Sequence, residues 1–172
     1  NPINVYGKTK LAGEKALQEI MPTDAIIIRT SWLYSEFGNN FVKTMLNLGK
    51  ERDELNVVSD QIGSPTYATD LAETILKIID NKNYQNKEQL TEIYHYSNEG
   101  EISWYDFTKE IFKLAKIDCK VSPITTEQYP TPAKRPKSAL MDKEKIVEKF
   151  SIKTSYWKET LCSCINNIES KV

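Results

Sequence analysis

Two periodicities alternate along the chain. From Gly7 to about Glu19, Leu11, Ala12, Ala16, Leu17 and Ile20 recur at helical spacing and Pro22 closes the run, which predicts a first helix. The segment DAIIIRTSWLY then sets Ile26, Ile27 and Ile28 in an unbroken apolar run, the pattern of a strand buried on both faces. The first helix is expected to lie against the sheet that contains it. EFGNNFVKTMLNLGKERDE puts Phe41, Met45 and Leu48 on one helical face, with Asn39 or Asn40 as N-cap.

LNVVSD reads as a strand, QIGSPTY as an irregular turn-rich segment, and ATDLAETILKIID as a helix that buries Leu71, Ile75 and Ile79, with Thr69 or Asp70 near its start. YQNKEQLTE is polar and reads as a loop. IYHYS alternates like a strand, and a helix beginning at Ser103 turns Phe107, Ile111 and Leu114 inward. Four prolines in SPITTEQYPTPAKRPKS predict an extended stretch over the surface. Two helices, near Asp142 to Phe150 and Ser155 to Ile168, complete a regular alternation of strands and helices, which is the signature of an α/β fold.

Composition narrows the function classes. At 172 residues and 40% hydrophobic content the chain can form a real core, and a net charge of −1 offers no broad basic surface for nucleic acid. The longest apolar runs fall far short of a membrane span, and no charged-then-apolar leader pattern opens the chain. Cys119, Cys162 and Cys164 form neither a zinc pattern nor a disulfide framework, so no metal is expected and a reducing cytoplasm is. His95, the sole histidine, lies in a predicted strand and reads as structural. The opening NPINVYG, without Met or a preceding strand, reads as a chain cut from something longer.

Tyr6 and Lys10 stand four residues apart at the mouth of the first helix, so they share a face and the ammonium can approach the phenol. At ~6 Å and an effective dielectric of ~20 the attraction for a phenolate is about 3 kcal/mol. Tyr105 and Lys109 repeat the spacing. What separates the pairs is context: Gly7, Ala12 and Gly13 let a flat ligand approach near Tyr6, whereas Tyr105 is flanked by Trp104, Asp106 and Phe107 on an ordinary amphipathic helix.

NVYGKTKLAGE, IIRTSWLYSEFGNNFVKTML, VVSDQIGSPTYATDLA, YHYSNEGEISWYDFTKEIF and RPKSALMD, in that order and at these spacings, resemble the dTDP-4-dehydrorhamnose reductases, extended members of the short-chain dehydrogenase/reductase superfamily. The resemblance covers nearly the whole chain. It implies the C-terminal part of a Rossmann-like doubly wound fold plus a small mixed α/β substrate-binding region, mainly 35–65 and 95–172. It further implies hydride transfer from NADPH or NADH to C4 of dTDP-4-dehydro-L-rhamnose. Tyr6 is then the proton donor, and Lys10 favours its phenolate and hydrogen-bonds the nicotinamide ribose, so both also bind cofactor.

Trp32 matches the family tryptophan beside the sugar ring, although a core aromatic is the plainer reading. Asn40, Gln61 and Arg135 lie in blocks that approach the sugar nucleotide in extended relatives. A guanidinium in a proline-stiffened loop suits a diphosphate. Asn40 read by itself is equally a helix cap, Gln61 a turn residue and Arg135 part of a solvated basic loop.

None of the glycines Gly7, Gly13, Gly38, Gly49, Gly63 and Gly100 forms the Gly-rich turn that receives a dinucleotide pyrophosphate. The chain is therefore expected to bind NAD(P)H weakly, to show no turnover alone, and to expose apolar surface and self-associate; a homodimer is compatible with this. Two alternatives stay open: a non-catalytic regulatory subunit on the same fold, and a sugar-nucleotide epimerase or dehydratase of the extended superfamily.

Overall fold

A computed structural model describes residues 2–81 and 90–170. In chain order the elements are α1 (Val5–Ile20), β1 (Ile26–Thr30), β2 (Leu33–Tyr34), α2 (Phe41–Glu51), β3 (Glu54–Val58), β4 (Ile62–Gly63), β5 (Thr66–Tyr67), α3 (Ala68–Asp80), β6 (Glu92–Tyr96), β7 (Ile102–Ser103), α4 (Trp104–Leu114), β8 (Lys120–Ile124), α5 (Glu144–Phe150) and α6 (Trp157–Glu169). The α/β expectation holds. β1 pairs with β6, β2 with β5 and β3 with β8, all parallel, while β4 and β7 are antiparallel.

Apolar packing divides into two cores among the described residues. The larger gathers Val42, Met45 and Leu46 of α2, Leu55 and Val57 of β3, Phe107 and Ile111 of α4, and Leu161 and Ile165 of α6. The smaller joins Ile78 of α3, Tyr94 and Tyr96 of β6, Ile146 and Phe150 of α5, and Ile152. Asn98, fully buried, ties the segments between them: its Oδ1 accepts from the Tyr67 amide at 2.7 Å and its Nδ2 donates to Asp70 at 2.5 Å.

Caps follow the sequence closely. Asn40 caps α2 by accepting from the Lys43 amide, and Ser103 caps α4 by accepting from that of Asp106. Thr69 and Asp70 lie near the start of α3 as expected, in its first turn; the N-cap itself is Tyr67, with no side-chain capping bond. His95 lies in β6 as expected, its Nδ1 3.0 Å from the Asp142 carbonyl.

Burial departs from expectation at several elements. No residue of α1 is buried; Leu11, Glu14, Leu17 and Gln18 are half-covered, and Ile20 is exposed. Ile26, Ile27 and Ile28 are half-buried rather than buried on both faces, in a strand paired with β6. In α3 the buried residues are Thr74 and Ile78, while Ile75 and Ile79 are exposed: the covered face is turned by one position from the expected one. Along α2 the fully buried set is Val42, Met45, Leu46 and Gly49, with Phe41 and Leu48 at its margins.

QIGSPTY is not irregular, since it holds β4 and β5. The start of the proline-rich stretch is also ordered, with Pro123 inside β8 opposite Val57; only the continuation wanders exposed. Pro is tolerated there as on other edge strands. The last two helices start two residues later than expected, at Glu144 and Trp157. Most of the polar loop predicted at YQNKEQLTE lies outside the described residues.

Polar links therefore hold α1. Arg29 of β1 donates to Glu14 from two of its guanidinium nitrogens, Nε at 2.7 Å and Nη2 at 2.5 Å. This hydrogen bond holds the Glu14 carboxyl below its usual range against an opposing desolvation. The stabilisation is present above the carboxyl's unfolded pKa and fades as pH falls through the lowered folded value. Arg29→Ala should cost about 1 kcal/mol and speed deuterium exchange along Val5–Ile20; unchanged exchange would refute the tie.

Asp70 shows the opposite shift: burial pushes its carboxyl up and outweighs the Asn98 amide, which pulls it down. A raised folded value means that stability is lost as pH rises from the unfolded value through the folded one. Asp70→Asn keeps an acceptor for Asn98 without the charge. It should raise the urea midpoint at neutral pH, and the gain should vanish in acid; a gain independent of pH would show that the charge is not the cause.

Candidate functional site

Asn4 starts α1 by accepting from the Gly7 amide, which sets Tyr6 in the first turn. Tyr6 is 70% exposed and the Lys10 Nζ stands 5.6 Å from its ring centroid. Tyr105 and Lys109 show nearly the same relation, at 5.2 Å. Spacing and distance alike leave the two pairs equivalent. Burial separates them: Tyr105 packs against the larger core, while the face that carries Tyr6 and Lys10 continues to Gly13, where a Cβ would meet open space. An exposed hydroxyl beside an ammonium on an open helix face can meet a ligand, and a core-packed ring meets one less readily.

Trp32 lies at the end of the β1–β2 connection with φ of 50°, in the left-handed region that a bulky residue adopts only at a cost of about 1–3 kcal/mol. Its indole stacks on Trp104 at 3.5 Å between centroids and 14° between planes. Gly63 of β4 lies against the same ring: a Cβ there would fall 2.6 Å from Trp32 Cε2. Phe41, the first residue of α2, packs on the far partner at 4.3 Å from Trp104. Trp32 is thus half-buried and clamped, stacked on Trp104 and packed against Gly63.

Asn40 uses its whole amide within the fold. Besides the Lys43 cap, its Nδ2 donates to the Ser35 carbonyl at 2.7 Å. Gln61 is buried, and its Nε2 donates to Thr126 Oγ1 at 3.1 Å. Thr126 in turn donates from its amide and its hydroxyl to Asp60, at 2.9 and 2.7 Å, and the hydroxyl bond is the main reason the Asp60 carboxyl lies below its usual range. Both amides presently serve the loops around the site.

Arg135 is exposed and forms no ion pair among the described residues, with Lys134 and Lys137 beside it. Its loop is attached at both ends. The Ile62 amide donates to the Lys137 carbonyl at 2.9 Å, and the Ala139 amide donates to the Ile62 carbonyl at 2.8 Å. At the other end Asn4 Nδ2 donates to the Lys134 carbonyl at 2.9 Å. The structure therefore joins Tyr6 and Lys10 to Arg135 through Asn4, and Arg135 to Gln61 and Trp32 through β4. Among the described residues no group of His, Cys, Asp and Glu could hold a metal ion.

Sequence reasoning passed over Trp104, Asp60 and Asn4. Trp104 looked like one flank of an ordinary helix, and nothing in its neighbours announces a stack on Trp32. Asn4 did carry a readable signal, an amide side chain immediately before a helix start. Its second bond, to a residue 130 positions away, did not.

Comparison with known proteins places these contacts in a family. The RmlD substrate binding domain matches residues 1–170. A dTDP-4-dehydrorhamnose reductase of Aggregatibacter actinomycetemcomitans is 45% identical over 167 residues, 94% of this chain and 56% of that protein. The crystal structure of a dTDP-4-dehydrorhamnose reductase from Clostridium acetobutylicum superposes with a TM-score of 0.88 at 48% identity, over 98% of this chain and 57% of the other. That of the Bacillus anthracis reductase, in complex with NADP, gives 0.88 at 41%, over 97% and 57%. The chain spans little more than half the length of these relatives. A match that runs nearly end to end along this chain makes it a member of the RmlD substrate binding domain family.

Proposed function

We propose that the chain is the C-terminal, substrate-binding part of an NAD(P)H-dependent reductase that converts dTDP-4-dehydro-L-rhamnose to dTDP-L-rhamnose. The high identity to reductases of that name carries the reading. The larger core, mainly within 35–65 and 95–172, is the sugar-nucleotide region, and the smaller core around β1, β6 and α3 is the remainder of the dinucleotide-binding fold. α5 belongs by sequence to the first and packs in the second. The absence of a disulfide among the described residues accords with a reducing cytoplasm, and exposed Ile75, Leu76 and Ile79 accord with self-association of the isolated chain.

Tyr6 and Lys10 fit the ribose end of a nicotinamide dinucleotide, because a phenol and an ammonium on an open helix face suit sugar hydroxyls. Among the described residues no glycine cluster receives its pyrophosphate. When bound, the nicotinamide supplies the hydride. Tyr6 donates its hydroxyl proton to the substrate oxygen at C4, which gains negative charge as the carbonyl is reduced. Lys10 stabilises the phenolate left behind, an attraction of about 3 kcal/mol at ~6 Å and an effective dielectric of ~20. Trp32, half-buried, offers the exposed part of its indole to the apolar side of the sugar ring, and Arg135 its fork of donors to the diphosphate.

The assignment is tested in the full-length enzyme by NADPH oxidation with the sugar nucleotide. Tyr6→Phe should lower kcat by about 10²–10⁴-fold with sugar-nucleotide affinity retained, and Tyr105→Phe should leave kcat nearly unchanged. Equal effects from the two variants would remove Tyr6 from the chemistry.

Gly63→Ala probes Trp32, since the added methyl must displace the indole. A stability loss of about 1–3 kcal/mol in urea unfolding together with a raised KM for the sugar nucleotide is expected. The stability loss with an unchanged KM would leave Trp32 a core residue only.

A further inference from the structure

Asn4 does two things with one side chain. Its Oδ1 accepts from the Gly7 amide at 2.8 Å and so begins the helix that carries Tyr6 and Lys10. Its Nδ2 donates to the Lys134 carbonyl at 2.9 Å. Serine, threonine and aspartate cap helices as well as asparagine does, but none of them presents an amide N–H to a distant carbonyl. The geometry thus uses both ends of the amide.

The partner loop has little else to hold it. Every residue of 127–138 is exposed, so no apolar burial fixes its course. Pro136 restrains Arg135 to extended backbone, which limits the loop's shape without anchoring it to anything. Beyond Pro136 the backbone bonds of Ile62 to Lys137 and Ala139 attach it to β4. Before Arg135, the Asn4 bond attaches it to α1. Arg135 is therefore suspended between two ties, one on the helix of the Tyr6–Lys10 pair and one on the strand that packs Trp32.

We infer that Asn4 is a positioning residue for the sugar-nucleotide diphosphate: its side-chain amide clamps the Lys134–Lys137 loop to the first turn of α1 and so fixes Arg135 relative to Tyr6. The inference rests on the reductase reading for the identity of the ligand and on the two hydrogen bonds for the clamp. Without the clamp the loop must be ordered by the incoming ligand, and binding weakens by the cost of that ordering. The Tyr6 hydroxyl and the Lys10 ammonium are untouched, so turnover of bound substrate is unchanged.

Asn4→Asp separates the clamp from the cap, because aspartate retains the acceptor for Gly7 and loses the donor to Lys134. In the full-length enzyme, Asn4→Asp should weaken dTDP binding in calorimetry and raise the sugar-nucleotide KM by about three- to tenfold, with Tm and kcat close to wild type. Trypsin should nick the loop after Lys134 or Lys137 faster than in wild type. Asn4→Ala should show the same losses and a lower Tm, since the cap goes too. Wild-type dTDP affinity and nicking rate in Asn4→Asp would overturn the inference, as would a fall in kcat at unchanged KM. A wild-type enzyme that fails to bind dTDP would instead overturn the reductase reading on which the ligand rests, a result the nicking rates do not depend on.

Discussion

Phe107 is the contact on which the larger core depends. Fully buried in α4, its ring meets Tyr34 of β2 at 5.7 Å, Phe41 of α2 at 5.9 Å, Trp104 at 6.5 Å and Trp157 of α6 at 5.8 Å between centroids. Three other elements converge on this one α4 side chain, whose truncation would cost about 3–5 kcal/mol. Trp104, braced by Phe107 and Phe41, presents a fixed face to Trp32, and Gly63 packs against the six-membered ring and Nε1 of that indole. Backbone strain at Trp32 persists because this packing over-determines its position.

The half of the site on α1 is built on different physics. No α1 residue is buried, so the helix is placed by directional bonds: Arg29 to Glu14 at its middle and Asn4 to Lys134 at its start. Such bonds are each worth about 1 kcal/mol, against several for a buried aromatic. The site thus joins a stiff aromatic wall to a lightly held helix. The loop of Arg135 bridges the two, which is why one asparagine can matter to it more than any apolar contact.

Local signals made the element order readable. Ser103 and Asn40 announced their helices because a cap is decided by the residue and its next three neighbours. Tyr6 and Lys10 were readable for the same reason, since a spacing of four fixes a shared helix face. Asn40 and Gln61 were legible as residues of the right blocks, yet their amides are engaged with Ser35, Lys43 and Thr126, contacts set by loop geometry that no pattern displays. The strand inside the proline-rich segment escaped because β3, its partner, lies more than sixty residues away.

The sequence by itself determined where helices begin, which residues are apolar, the Tyr6–Lys10 spacing and the ordered blocks that mark the family. These are local or linear properties. Tertiary structure decided which apolar faces are covered: Ile78 rather than Ile79, Val42 beside Met45, and none of α1. It also decided that Tyr6 faces solvent while Tyr105 leans on the core, that Trp32 stacks on Trp104, and that Asn4 reaches Lys134. Burial and long-range hydrogen bonds depend on what the rest of the chain brings alongside, and a linear pattern carries no record of that.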